Sequence, residues 1–447
     1  MNESVPGRSA PPAAARNIQR PERAPVALVA AVLALAAILA FVFFRSGPRS
    51  VLYDSYHYYE LSRIVASEGV WNLQSTIRTY GYPLFLAASR GFRDSGPDAA
   101  RANAAEAQVA LHLALALYAG RATARVFRDP RLFAPTFAVL ALNPILLLRA
   151  TEMLSDSVSA SLVGFAVFLS LPEGRPAPRA FGAFLCAGLA AMVRPANVAL
   201  LPALAIVWVA RSRRRREGAA GPMAAAVAGV AIALIPQLAS NVRAYGRWTP
   251  LVVEGLYRDQ AAWGIGMLKY GTSLVPGRVP QIEYLNPFIA GDGSSPERLA
   301  ARHPVAYAKT LGAHAFGMLD QDFPYTYVEN LRPPARWPLS LANYAFLFLA
   351  LAGLALGLMR ISAPGDSVLY FLAALLAAGA LVAVYLPVAV ESRFSAPIYA
   401  LLTPAAVHAV LWLSRRRSGT IVAAAIAGGG FVAACVQISR WMTTLIR

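Results

Sequence analysis

Asp54 stands in the run Tyr53-Asp54-Ser55-Tyr56-His57-Tyr58-Tyr59, just beyond an apolar stretch that ends at Phe44. A carboxylate at a bilayer surface can be partly desolvated, which raises its pKa towards the range of a general base. Asp is also a preferred helix N-cap, a role worth about 1 kcal/mol, and the residues alone leave both readings open. His57, three positions on, shares a helical face with Asp54 and could tune or assist it. Arg194 and Arg393 each sit in a short polar turn between two apolar runs, while Arg78 and Arg243 lie in longer polar segments. A guanidinium suits bidentate contact with a phosphate. Arg243 and Arg247 could instead only flank a span at headgroup level, and Glu391 beside Arg393 could form a local ion pair.

Glu152 and Asp156 are four apart and share one face if their turn is helical. Two such carboxylates repel unless they share a proton, a cation or a basic partner. A divalent metal is therefore one candidate cofactor, although oxygen ligands do not identify it, and capping of the next helix by Ser155 or Asp156 is the other reading. No cofactor is required with certainty. Asp320-Gln321-Asp322 spells a pattern associated with metal and nucleotide-sugar binding, but three residues match often by chance. There is no Gly-x-x-x-x-Gly-Lys-Ser/Thr loop, His-Glu-x-x-His or Gly-x-Ser-x-Gly, which disfavours an ATP-driven pump, a zincin and an α/β-hydrolase.

These residues need a scaffold, and composition limits what it can be. The chain is 57% hydrophobic and 14% charged, with a mean hydropathy of +0.49. Soluble domains run at roughly 45–50% apolar and 25% charged, so the expected fold class is an all-α polytopic membrane protein. The net charge of +18 is carried almost wholly by Arg in short clusters between apolar runs. Such clusters are retained in the cytoplasm and favour anionic membrane lipids. Nucleic acid is not an expected partner, because no soluble basic domain presents a surface to it. The two cysteines, Cys186 and Cys435, fall in apolar runs and build no disulfide framework.

Apolar length predicts about eleven spans of roughly 20 residues, at 25–44, 104–124, 132–150, 155–171, 179–193, 196–210, 220–240, 339–359, 367–387, 394–413 and 419–438. Residues 1–24 read as a disordered cytoplasmic tail. With that tail inside, the clusters at Arg125/Arg128/Arg131, Arg175/Arg179, Arg211 to Arg216, Arg360 and Arg415 to Arg417 all fall on the cytoplasmic side. The polar segments 45–103 and 241–338 then fall outside, together with the turns at Glu152, Arg194 and Glu391. The expected organisation is a module over 25–240 containing the first external loop, an external cap over 241–338, and C-terminal spans over 339–447. Tyr53 to Glu68 predicts an amphipathic helix in the headgroup layer that stops at Gly69, and Pro304–Leu319 predicts a helix within the cap.

The order of these features resembles the GT-C glycosyltransferases of the protein-mannosyltransferase and aminoarabinose-transferase type. The resemblance is carried by Asp54 after the first span, by Gly81-Tyr82-Pro83-Leu84-Phe85-Leu86, and by Asn143-Pro144 through Glu152 to Asp156. Gly188 through Arg194-Pro195, Asn241 through Arg243 to Pro250, and Glu391-Ser392-Arg393-Phe394 with Pro397 continue it. In the fifth of these, Asn241 through Arg243 to Pro250, Asn and Arg stand in a different order from the family's. The resemblance implies transfer of one sugar, with inversion, from a polyprenyl-phosphate donor to a hydroxyl of an envelope glycan, lipid or protein. It implies a bacterial inner-membrane location with the site facing the periplasm. By position Asp54 becomes the base; Arg78, Arg194, Arg243 and Arg393 become donor-phosphate contacts; Glu152, Asp156, His57, Glu391 and Tyr82 support substrate or metal. The rival readings are a lipid-linked-sugar flippase or secondary transporter and a polysaccharide polymerase or ligase. Transporters place ionisable groups near the bilayer midplane, whereas here they cluster towards one face. The residues name neither the sugar nor the acceptor.

Overall fold

The computed structural model describes residues 26–171, 174–215, 218, 220–277, 279–289, 296–359 and 367–446. The expected tail 1–24, and with it Arg216 and Arg360 of the topogenic clusters, lies outside the described residues.

The first helix, α1 (Val26–Ser46), is apolar throughout until Arg45. The next, α2 (Tyr53–Glu68), ends where Gly69 takes φ +81, a conformation that favours glycine. It packs against α3 (Gly81–Ser89). The 30-residue α4 (Pro97–Val126) follows, with proline in its first turn, where the missing N–H costs nothing. A broken pair comes next, α5 (Phe133–Ala141) and α6 (Pro144–Thr151), bent by 47°. Pro144 cannot continue α5, and the Asn143 side chain accepts from the Ile145 and Leu146 N–H groups to start α6. The first module closes with α7 (Ser155–Ser170), α8 (Pro176–Val193), α9 (Leu200–Arg215) and α10 (Ala220–Tyr245).

The segment 241–338 folds as a small mixed unit. It contains α11 (Leu256–Gly266), β1 (Met267–Ser273), β2 (Gln281–Leu285), α12 (Pro296–Arg302), α13 (Pro304–Leu319) and β3 (Tyr327–Val328). The strands form a sheet of order β2-β1-β3, antiparallel between β1 and β2 with Tyr270 opposite Glu283, and parallel between β1 and β3 with Thr272 opposite Tyr327. This sheet is an addition to the all-helical expectation and leaves the helical architecture intact. Four further helices complete the bundle: α14 (Arg336–Leu358), α15 (Ser367–Tyr385), α16 (Ala396–Leu413) and α17 (Ser418–Thr443).

Every expected span falls on helix. Among the described residues eight helices are long and apolar enough to cross a membrane, and the bent pair would make nine. The expected span 104–124 lies inside α4, and α7 is apolar but shorter. The chain is a multi-pass membrane protein. Its core centres on α16, which is buried along most of its length, while α1 and α17 expose apolar side chains, as lipid-facing helices do.

The two ends of the bundle differ in charge. At one, Arg415 bonds Asp129 at 3.1 Å, Arg179 reaches the Leu169 carbonyl, and Arg211 reaches that of Ser170. Those contacts bring the arginine-rich connections together. Asp54, Arg78, Asp156, Arg194 and Arg393 collect at the other end.

Candidate functional site

Two distant stretches of chain, at Arg78 and at Arg393, converge on Asp54. The residue lies in the first turn of α2, whose N-cap is Leu52 and makes no side-chain cap. The capping reading of Asp54 is therefore set aside: its carboxylate is spent on two guanidinium groups instead. Arg78 Nη2 donates to Oδ1 at 2.5 Å and Arg393 Nη2 to Oδ2 at 3.1 Å. Burial alone would raise the Asp54 carboxyl, but Arg393 and Arg78 outweigh it and hold it below its ordinary value. The expected upward shift is thus reversed. Desolvation is present, but two opposite charges dominate it.

Arg78 is fixed from below as well. Its Nη1 donates to the Tyr58 hydroxyl at 3.2 Å, and the guanidinium lies over the Tyr58 ring. Tyr58 in turn meets Tyr82 edge to face at 4.8 Å, and Tyr82 donates to Gln108 at 3.0 Å. Tyr82 is fully buried and supports the floor rather than touching the cavity. The loop that carries Arg78 is set by α3, since a Cβ at Gly81 would come within 2.5 Å of the Met192 backbone. Only glycine lets α3 press against the end of α8, directly before Arg194.

Arg194 caps α8 and pairs closely with Asp156. Its guanidinium sits 4.6 Å from the centre of the Phe394 ring. Arg393 joins all the carboxylates: beyond Asp54 it bonds Glu391 at 2.7 Å and stands 3.8 Å from Asp156. The local pair of Glu391 and Arg393 therefore forms, and it forms inside the cluster. Three guanidiniums face three carboxylates, and the buried Nε atoms of Arg78 and Arg393 and one Asp156 oxygen have no hydrogen-bond partner. Unused donors of this kind are places where an incoming anion can gain hydrogen bonds.

Asp54, Arg78, Arg194, Glu391 and Arg393 line a cavity of about 730 Å³ that also takes in Tyr270, Tyr327, Tyr385 and apolar side chains at the end of α8, of α15 and of the 249–252 loop. Burial pushes the Tyr327 hydroxyl up to about 12. Burial, and then Glu391, raises that of Tyr270. Both stay neutral donors. His57 is half-buried on α2 near Arg78 and Asp54 but is not part of the cavity wall. Burial and the Arg78 charge lower its pKa against a smaller opposite effect of Asp54, so it is neutral at neutral pH.

Four sequence expectations change here. Glu152 and Asp156 do not share a helical face, because Glu152 is extended and α7 starts only at Ser155. Leu154, not Ser155 or Asp156, is the N-cap of α7. Glu152 turns to a separate cleft beside Tyr327, where it accepts from Arg149 at 2.8 Å and from the Thr326 N–H at 2.6 Å. A divalent metal does not fit this donor set, since each carboxylate is already matched by a guanidinium. Among the described residues no group of three His, Cys, Asp or Glu could hold one. Arg243 is exposed at the end of α10 and lines neither cavity. Its neighbour Asn241 holds the Thr249 and Leu251 carbonyls instead.

Asp320 and Asp322 are fully buried in a network of their own. Lys269 donates to Asp322 at 2.6 Å and to the Asp320 carbonyl, Tyr284 donates to Asp322, and Tyr344 donates to Asp320. The Asp-x-Asp pattern here is cement between cap and bundle. Lys269 and Arg149 escaped the sequence reading, although Lys269 is one of only two lysines in an arginine-rich chain and Arg149 stands three residues before Glu152.

No protein-family model matches the chain, and no curated protein matches it. Among solved structures it is similar to ArnT from Cupriavidus metallidurans bound to undecaprenyl phosphate, at 15% identity and a TM-score of 0.49. That match covers 92% of this chain and 64% of the other, so the chain spans less than two thirds of that protein's length.

Proposed function

We propose that the chain is an inverting glycosyltransferase of the GT-C type, moving a single sugar from a polyprenyl-phosphate donor to a hydroxyl of an envelope glycan, lipid or protein at the periplasmic face of the bacterial inner membrane. The observation that carries this reading is the convergence of Arg78 and Arg393 on Asp54, with Arg194 lining the same cavity, whose side walls are apolar. A lipid phosphate needs fixed positive charge and a greasy approach, and the cavity offers both. Its volume falls within the range of roughly 300–1,000 Å³ for small-ligand sites, which suits one sugar with its phosphate better than a preassembled glycan.

The arrangement suggests how the base is switched on. With Arg78 and Arg393 bound to it, Asp54 is too acidic to take a proton efficiently. A donor phosphate competes for those two guanidiniums, and each hydrogen bond it takes returns basicity to Asp54. Asp54 then accepts the proton of the acceptor hydroxyl as that oxygen bonds to the anomeric carbon. The bond from this carbon to the phosphate oxygen breaks with its electron pair, and the arginines hold the charge on the departing lipid phosphate. Attack opposite the leaving group inverts the anomeric centre.

The test is turnover of purified Asp54→Asn with undecaprenyl-phosphate-linked sugars. Removing a general base costs roughly 10²–10⁴ in rate. Normal turnover in a folded Asp54→Asn enzyme would remove the base assignment, and absence of undecaprenyl phosphate binding by the wild type would remove the transferase reading.

A further inference from the structure

The cap contributes one helix to the cavity, and its two faces differ in chemistry. Ala261 and Gly264 of α11 are buried against the 387–389 backbone. A Cβ at Gly264 would fall 2.7 Å from the Pro387 carbonyl oxygen, and the Ala389 N–H donates to the Gln260 carbonyl at 3.1 Å. The helix is thereby fastened to the segment that leads into Glu391 and Arg393. Its other face presents Tyr257, Gln260 and Trp263, three and three residues apart, to the cavity that holds Asp54. Tyr257 and Trp263 are about half exposed there.

We propose that this face of α11 is the subsite that recognises the sugar ring of the donor, with Trp263 and Tyr257 as stacking platforms and Gln260 as a hydroxyl partner. The proposal rests on the transferase reading and assigns its sugar-selecting residues. The C–H face of a sugar ring is apolar and slightly positive, which matches the negative face of an aromatic ring. An amide that can both donate and accept suits ring hydroxyls of either polarity. The face carries no charge, since Arg258 and Asp259 stand outside the cavity wall, so it offers nothing to a phosphate. That division leaves the phosphate to the arginines that line the same cavity. Trp248 gives the contrast: it is 83% exposed and lies outside the cavity, where a membrane-interface anchor would stand.

Equilibrium binding to the full chain in lipid nanodiscs tests this without turnover. The probes are undecaprenyl phosphate alone and undecaprenyl phosphate carrying glucose, mannose, galactose or arabinose. At least one glycosylated probe should bind the wild type roughly five- to tenfold more tightly than the bare carrier, the size of one or two aromatic contacts. Trp263→Ala should abolish that gain and leave bare-carrier affinity unchanged, while Trp263→Phe should keep most of it. Tyr257→Ala serves as a second variant should Trp263→Ala fail to fold. The assignment is overturned if no sugar improves on the bare carrier, if the gain survives both alanine variants, or if bare and glycosylated probes weaken equally, which would mark α11 as a lipid or interface contact. Loss of bare-carrier binding by the wild type would instead strike the transferase reading itself.

Discussion

Arg393 reaches Asp54 across 339 positions of sequence, its Nη2 standing 3.1 Å from Oδ2 while the same nitrogen bonds Glu391 at 2.7 Å. A guanidinium shared between two carboxylates, with a third 3.8 Å away, is the electrostatic centre of this end of the bundle. Its removal has both a structural and a functional consequence.

Arg393→Ala leaves Glu391 and Asp156 buried with one fewer positive partner. Breaking a buried ion pair by removing one member costs about 3–5 kcal/mol, so this variant should unfold at clearly lower temperature in detergent. Arg393→Lys restores the charge without the planar fork. It should recover most of the thermal stability while donor affinity stays low. A lysine variant with normal donor affinity would mean that bidentate contact at this position is dispensable.

The pH dependence of Asp54 has a definite sign. Its folded pKa lies below the unfolded value near 3.8, so the folded chain binds the proton less readily than the unfolded one. The resulting stabilisation is fully present above the unfolded pKa and fades as pH falls through the folded pKa. The stability difference between wild type and Asp54→Asn should be constant above about pH 5 and shrink in stronger acid. Thermal melts of the two proteins over that range check it. A difference that grows on acidification contradicts the pairing with Arg78 and Arg393.

Some of this site was legible in the residues and some was not, and locality separates the two. The limits of α2 follow from an apolar stripe and Gly69, and those of α13 from Pro304; both are local signals. Arg194 and Arg393 stand out because arginine in a short turn between apolar runs needs a reason, whereas Arg78 lies in a longer polar segment and is singled out only as a guanidinium suited to phosphate. Arg243 matches Arg78 in that respect and yet is exposed at the end of α10, outside the cavity wall. Glu152 and Asp156 share a face only on a continuous helix, a condition their spacing cannot decide, and the chain is extended between them. The sheet of the cap is built from strands as far apart as Met267 and Val328, a pairing that no local pattern encodes.

The Arg149–Glu152 pair gives a stability test separate from the Asp54 cavity. Both side chains are buried, and Glu152 also accepts from Thr326. Glu152→Gln keeps an acceptor for Thr326 but leaves Arg149 as an unmatched buried charge, with an expected loss of about 3–5 kcal/mol. Adding Arg149→Met should recover most of that loss. If the double variant is no more stable than Glu152→Gln, charge pairing is not what Glu152 contributes.

Gly81 offers a way to move the cluster without touching it. Gly81→Ala forces a methyl group to within 2.5 Å of the Met192 backbone, so α3 must shift from α8. Overpacking of this kind costs about 1–3 kcal/mol, and the displaced loop carries Arg78. The variant should fold with reduced stability and bind undecaprenyl phosphate more weakly than wild type. Unchanged binding would show that the Arg78 loop is positioned by something other than this contact.

Orientation is the last and most consequential expectation. Charge retention predicts that the arginine-rich end stays in the cytoplasm, with Ala99 at the start of α4 outside and Ser418 at the start of α17 inside; both are exposed. With Cys186 and Cys435 replaced by alanine, Ala99→Cys should react in intact spheroplasts with a thiol reagent that cannot cross the membrane. Ser418→Cys should react only after the membrane is opened. The reverse pattern would put Asp54 and its arginines on the cytoplasmic side, where the donor and acceptor proposed for them do not meet.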